Sequence, residues 1–376
     1  MKALAIRPRQ PRTLHLIEHP TPSVADVEEG RGVLVLVLRV GVDGTDKELH
    51  SGDYGEAPPG EDVLIPGHES LGVVVETGPA VPREVSPGQL VVATVRRPGG
   101  SIYDQIGLQD LSTDDAYWER GISRLHGFLS EYYVEDHRYL VALPGALNGV
   151  GVLLEPMTIS EKAVRQAFEI QRRLKVWSPR RALVLGAGTI GLLAALVLRL
   201  RGFEVVVAAR RAAPYRNSDL VELIGGAYAT TEEVSLATLS DHRGPFDLIL
   251  EATGFSPLAF EAAEVLAKNG VLVLLSVTGG ERRAEVSTDA INQGFVLGNK
   301  VMVGSVNAAR EDFERGVDDL VKAEALYTGW LASLLNVPVH GLESHERLLA
   351  ELFENREAIK VYVEVAAGKA DKGGGG

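Results

Sequence analysis

The apolar and polar positions of this chain change their period once. Up to about residue 150 the apolar residues come in short runs broken by glycine and proline: VLVLVLRV, SLGVVVETG, QLVVATV, LSEYYV and YLVALP. Runs of this kind predict an irregular, mostly antiparallel β-domain. Between Arg96 and Leu125 lies the polar stretch RRPGGSIYDQIGLQDLSTDDAYWERGISRL. It is predicted to be a loop or lobe, and long loops inside compact domains are often functional.

At LLEPMTISEKAVRQAFEIQRRL the period lengthens to that of a helix. Pro156 suits a first helical turn, and Ile159, Ala163, Phe168 and Leu174 form the expected buried stripe. From there strands and helices alternate: ALVLG, TIGLLAALVLRLRG, EVVVAAR, SDLVELIGG, FDLILEATG, the helix AFEAAEVLAKNG, VLVLLSV and KVMVGSV. Such alternation predicts an α/β fold, a doubly wound parallel sheet with helices on both faces. A further helix, EDFERGVDDLVKAEALY, precedes a last strand, IKVYVEV, assigned back to the first domain. The expected division is residues 1–157 with 310–376, and residues 158–309.

Length supports two domains, since 376 residues exceed one comfortable core. A hydrophobic content of 45% and a charged content of 24% are those of a soluble globular protein. The net charge of −13 argues against nucleic acid or an anionic membrane as partner. There is no cysteine, so disulfides and thiolate zinc sites are excluded and any metal must rest on His, Asp or Glu. The start MKALAIRPRQ lacks an apolar signal region, which predicts a cytoplasmic protein. The apolar run from Ala182 to Leu198 approaches spanning length, but it contains GAGTIG and reads as strand, turn and helix. The tail GKADKGGGG is low-complexity and predicted to be disordered.

Gly186-Ala187-Gly188-Thr189-Ile190-Gly191 follows a strand and opens a helix, the context a dinucleotide motif requires. Gly186 permits the turn, Gly188 admits pyrophosphate to the backbone, and Gly191 packs helix on strand. The N–H groups around Thr189 and Ile190 then face the diphosphate. The second strand ends in Ala208-Ala209-Arg210-Arg211, without the acid that would hold a ribose hydroxyl. Two guanidiniums there predict NADP, with NAD as second choice.

Asp43, the pair His68-Glu69 after Gly67, and Glu155 are metal-type ligands on three separated pieces. Each also has an ordinary reading: a turn cap, a satisfied half-buried histidine, and an acid at a helix N-terminus.

The chain resembles the zinc-dependent medium-chain alcohol dehydrogenases, most closely the archaeal-type glucose 1-dehydrogenases. The resemblance rests on GVDGTDKEL, IPGHESLGVVVETG, VRRPGG, YWERGISRLHGFLSEYYV, LLEPMTISEKA, VLGAGTIG and GNKVMVGSVN, over nearly the whole chain. It implies a GroES-like β-rich catalytic domain and a Rossmann nucleotide-binding domain. In that family Asp43 stands where a zinc cysteine is usual, His68 matches the zinc histidine, and Glu155 matches a further ligand position. Glu69 is implied as a ligand or a water-exchanging neighbour, and Asp46 as the group that orients His68. Thr45 is implied to hydrogen-bond the reacting oxygen and start the proton relay. Glu119 matches a residue that binds glucose hydroxyls, with Glu155 beside it. Asn307 matches one that contacts both sugar and nicotinamide. Thr253, Ser276, Val277 and Ser305, at the ends of later strands, complete the implied cofactor set.

Many members of the family hold a structural zinc on four cysteines in the lobe after R-P. Here the ligands left are Asp104, Asp110, Asp114 and Asp115, and carboxylates alone make a poor structural zinc site. The sequence therefore predicts one catalytic zinc and no structural one, with the lobe held by Ile102, Tyr103, Leu108 and Leu111. The implied activity is NAD(P)-dependent oxidation of D-glucose, with galactose as another aldose, at C1 to the lactone, by a homotetramer or dimer. A sorbitol- or threonine-type dehydrogenase, a zinc-free quinone reductase and a non-catalytic nucleotide-binding protein are the alternatives.

Overall fold

The computed structural model describes residues 1–113 and 117–366. The expectations for Asp114, Asp115 and the glycine tail concern residues outside that set. The chain divides into two compact units, Met1–Glu155 with Asn307–Val321 and Leu331–Gly376, and Pro156–Val306 with Lys322–Trp330.

The first unit is organised by one long strand, Gly32–Val42, in which Val33, Val35 and Val37 are fully buried and the residues between them half-buried. This period-two burial is what its alternation of Val and Leu prescribes. Glu69–Thr77 pairs along one side of it, while Tyr132–Asp136 and Val361–Glu364 share the other. The order across the sheet is Leu140–Leu143, Leu90–Ala93, Glu69–Thr77, Gly32–Val42, Val361–Glu364, Val337–His340. The last strand in the sequence thus lies inside the first unit's sheet, between Gly32–Val42 and the edge strand Val337–His340. Phe128, Leu129, Val339, Val361 and Val363 fill the core beneath.

In the second unit six parallel strands lie in the order 3-2-1-4-5-6 of their appearance, from Ala227–Thr230 at one edge to Val301–Gly304 at the other. That order reverses direction beside Arg181–Leu185, the point at which doubly wound sheets bind ligands. The edge strand Ala227–Thr230 and the helix Leu236–Arg243 have no clear pattern in the sequence, being short or polar.

Four readings need correction. The helix expected over AFEAAEVLAKNG ends at Glu264, and Leu266–Leu274 is strand, with Leu266 paired to Phe246 across a register shift. Asn269 takes a left-handed conformation (φ 58°) beside Gly270, so NG bends the strand and does not stop a helix. Phe168 is 39% exposed and meets the Trp177 ring on the surface, outside the buried stripe. Lys322–Trp330 belongs with the second unit, where Trp330 Nε1 donates to Leu220 O at 2.8 Å. Finally, two of the four apolar residues expected to hold the lobe do not, since Ile102 is 62% and Leu111 37% exposed, while Tyr103 and Leu108 are half-buried. Asp104 holds it: Oδ2 accepts from the backbone N–H groups of Gly99, Gly100 and Ser101 at 2.9, 2.8 and 2.8 Å.

Candidate active site

The long strand Gly32–Val42 runs directly into helix Gly44–Ser51, and Asp43 is the N-cap between them. Its Oδ1 accepts from Thr45 N at 2.8 Å, and Asp46 Oδ2 returns the favour by accepting from Asp43 N at 3.0 Å. The other oxygen, Oδ2, faces His68 Nε2 at 3.8 Å. The turn-cap and ligand readings of Asp43 are therefore compatible, one carboxylate oxygen serving each. Gly67 reaches this position at φ 90°, where a Cβ would come within 2.8 Å of Leu129 and 2.9 Å of Val40. Only glycine lets the backbone turn His68 in so tightly.

One ligand atom from each of Asp43, His68 and Glu69 lies within 4.8 Å of the others, with His68 and Glu69 buried. Glu155 stands outside this trio, in the first turn of helix Leu154–Gln171, and is 7% exposed. Its influence is electrostatic. Burial, then the carboxylates of Glu69 and Asp43, push its carboxyl up to about 8 against the opposing pull of His68. Burial likewise lifts Asp46 to about 7. His68 is raised to about 9 because the carboxylates of Asp43, Glu155, Asp46 and Glu69 outweigh its desolvation. Asp43 is held low despite burial, by His68 and Lys360.

Lys360, which the sequence reading passed over, completes the group. It is 2% exposed and ion-paired with Glu69, itself 1% exposed. A lone lysine in IKVYVEV was the available signal, but only the pairing of Val361 with Val42 brings it level with Asp43. Asp46 does not hydrogen-bond His68 as expected: its Oδ1 and His68 Nδ1 are both buried without a partner.

Four buried or half-buried carboxyls thus face one lysine and one histidine. Imidazole and carboxylate donors within reach of one point, with surplus negative charge, suit a divalent cation such as zinc. A second trio, His19, Glu61 and His126, also lies within 4.8 Å. There Ile65 N donates to His126 Nδ1 at 3.2 Å, so Nε2 carries the proton given to Glu61 at 3.0 Å and has no lone pair for a metal.

Glu119 is also buried, and Oε1 accepts from Arg96 Nε and Nη2 at 3.1 and 2.8 Å and from Asn307 Nδ2 at 2.6 Å. Arg96 and Glu119 are directly paired across antiparallel strands, and the guanidinium stacks on Tyr117 at 4.1 Å. Asn307 adopts φ 61°, a conformation asparagine tolerates. The structure therefore brings Glu119 and Asn307 together.

In the second unit Gly186 turns at φ 103°, where a Cβ would sit 2.7 Å from Ala252 O. Gly188 caps helix Thr189–Leu200, and a Cβ on Gly191 would strike Gly186 O at 2.0 Å. Thr253 donates from its N and its hydroxyl to Glu251 Oε1, and Ser276 Oγ accepts from Gly254 N at 3.0 Å. Ser305 N donates to Leu274 O at 3.0 Å, and Val277 is 76% exposed. Arg210 and Arg211 are exposed at the end of strand Glu204–Ala209, with Arg211 stacked on Tyr215 at 4.6 Å.

A family model described as the alcohol dehydrogenase GroES-like domain matches residues 29–145, and one described as the glucose dehydrogenase C-terminus matches 148–365. A glucose 1-dehydrogenase of Methanocella arvoryzae is 42% identical over 98% of this chain and 100% of its own length. That of Thermoproteus tenax is 40% identical, covering 97% and 99%. Among solved structures, Haloferax mediterranei glucose dehydrogenase in complex with NADP, Zn and gluconolactone superposes with a TM-score of 0.86 at 35% identity, covering 97% and 99%. Galactitol-1-phosphate dehydrogenase from Escherichia coli, at 20% identity and TM-score 0.78, shares the fold.

Proposed function

The chain belongs to the glucose dehydrogenase family of alcohol-dehydrogenase-like proteins, and on that footing we propose that it oxidises D-glucose at C1 to the lactone, with NADP as oxidant and zinc as cofactor. The observation that carries this reading is the convergence of Asp43, His68 and Glu69 within 4.8 Å in a buried, negatively charged setting. Asp43, His68 and Glu69 would hold the ion, with Glu155 as the further carboxylate of the group. A zinc ion so bound supplies Lewis acidity that lowers the pKa of an alcohol presented to it.

The chain's own residues do the rest. Glu119 collects the bonds from Arg96 and Asn307 on Oε1, which leaves Oε2 to accept from a sugar hydroxyl. Thr45, whose backbone is fixed by Asp43, would take the proton from the C1 hydroxyl and pass it outward. Hydride leaves C1 with its electron pair for C4 of the nicotinamide. Gly186, Gly188 and Gly191 admit the diphosphate to the helix N-terminus, while Arg210 and Arg211 offer guanidiniums to a 2′-phosphate. A homo-oligomer fits the open edge strand Val301–Gly304 and the nearby Val296 and Leu297, each 67% exposed.

The test is an NADP-linked assay over aldoses and open-chain polyols, with and without added zinc, on the wild type and Asp43→Ala. Glucose oxidation that needs zinc and is lost in Asp43→Ala is expected. Preference for a polyol, or full activity in Asp43→Ala, would overturn the assignment.

A further inference from the structure

Arg210 and Arg211 stand just past the end of strand Glu204–Ala209, and a guanidinium on a loose loop loses affinity to its own ordering. The parallel ladder with the edge strand Ala227–Thr230 stops at the pair Ala209–Thr230. Beyond it the edge strand keeps hold of the loop by other means. Thr231 N donates to Ala209 O at 2.9 Å, the Thr230 hydroxyl to Arg210 O at 2.7 Å, and the Tyr228 hydroxyl to Arg211 O at 2.5 Å. Three successive carbonyls are thus held, the last two by side chains. Tyr228 gives its one hydroxyl proton to Arg211 O, so the 3.0 Å bond between the Tyr215 and Tyr228 hydroxyls is donated by Tyr215. The two rings meet edge to face at 5.6 Å, and the Arg211 guanidinium lies over the Tyr215 ring at 4.6 Å. Asn217 Nδ2 donates to Ala187 O at 2.7 Å, which ties the helix Arg216–Leu223 to the glycine turn.

We propose that Tyr228 is a positioning residue for the 2′-phosphate of NADP, which it favours over NAD by fixing the Arg211 backbone and, through Tyr215, the Arg211 guanidinium. The inference rests on the NADP reading given above. A guanidinium recognises phosphate through a rigid planar fork, so its benefit depends on where the fork is held. Stacking on Tyr215 sets the plane of the fork, and the Tyr228 bond sets the stretch of chain from which the side chain springs. NAD has no 2′-phosphate and gains nothing from that placement. The bond from Asn217 to the glycine turn acts instead on the diphosphate side, which both cofactors share.

The experiment titrates the full chain with NADP and with NAD and reads Kd, with no turnover needed. Tyr228→Phe keeps the ring and removes the donor. It is expected to raise Kd for NADP about fivefold, the scale of one neutral hydrogen bond, while Kd for NAD stays within about twofold. In an Arg211→Ala background the same change should move Kd for NADP by less than about twofold, because Tyr228 acts through Arg211. Equal weakening of both cofactors in Tyr228→Phe, which a merely structural role would give, overturns the proposal. So does an unchanged Kd for NADP, or an effect that persists undiminished in Arg211→Ala. If Tyr228→Phe does not fold, Tyr215→Leu decides: a loss confined to NADP supports the proposal, and one shared by NAD, or none, overturns it. A wild type that binds NAD as tightly as NADP overturns the NADP reading and the proposal together. A wild-type preference that Arg211→Ala abolishes and Tyr228→Phe leaves intact overturns the proposal alone.

Discussion

Removing the guanidinium of Arg96 should expose how much the buried carboxylate of Glu119 depends on it. In Arg96→Met the two bonds to Glu119 Oε1, at 3.1 and 2.8 Å, disappear from a pair whose side chains are 8% and 5% exposed. Stripping one partner from a buried pair typically costs about 3–5 kcal/mol. The bond from Asn307 Nδ2 to Oε1 survives and keeps the loss at the lower end of that range, about 3 kcal/mol. Urea unfolding of Arg96→Met, Glu119→Gln and the double variant measures it. A coupling of about 2–3 kcal/mol is expected, with a raised KM for glucose. A loss under about 1 kcal/mol would refute the reasoning.

Asp104→Ala should loosen the lobe by about 2 kcal/mol, read as faster amide exchange at Gly99, Gly100 and Ser101, because three N–H groups lose a charged acceptor. Exchange there should not respond to chelators. Arg210→Ala should raise KM for NADP about tenfold, some 1.4 kcal/mol, while steady-state kinetics with NAD change little. Burial opposes the ionised form of Asp136, but bonds from Arg138 and Arg31 win and hold it at about 2, below its ordinary value of 3.8. Its depressed value means the stability it adds is present above about pH 4 and lost towards pH 2. The difference in urea midpoint between wild type and Asp136→Asn should close over that interval.

Much of the fold was legible because periodicity is local. The valines of Gly32–Val42 alternate within one strand, and GAGTIG announces a strand, a turn and a helix in adjacent residues. What failed depended on partners far along the chain. The strand Leu266–Leu274 looked helical in AEVLAKNG until its pairing with Phe246–Glu251 was known. The lobe is polar with a few apolar residues, and one carboxylate taking three backbone N–H groups leaves no periodic trace. At the site, Asp43, His68 and Glu69 could be nominated from residue type. Lys360 could not, because its relevance comes from a strand register linking positions more than three hundred residues apart.

That register also sets an order of assembly. Strand Val361–Glu364 lies between Gly32–Val42 and Val337–His340, and only it joins those two within the sheet. During synthesis the Arg39–Val42 end of the first unit's long strand therefore waits without a partner on one side for nearly the whole length of the chain, while Tyr132–Asp136 covers the other end. The parallel sheet of the second unit, Arg181 to Gly304, has emerged complete by then. The nucleotide-binding half can thus fold first. Closure of the metal-binding half then coincides with the arrival of Lys360, so ion pair and sheet are completed in a single late step.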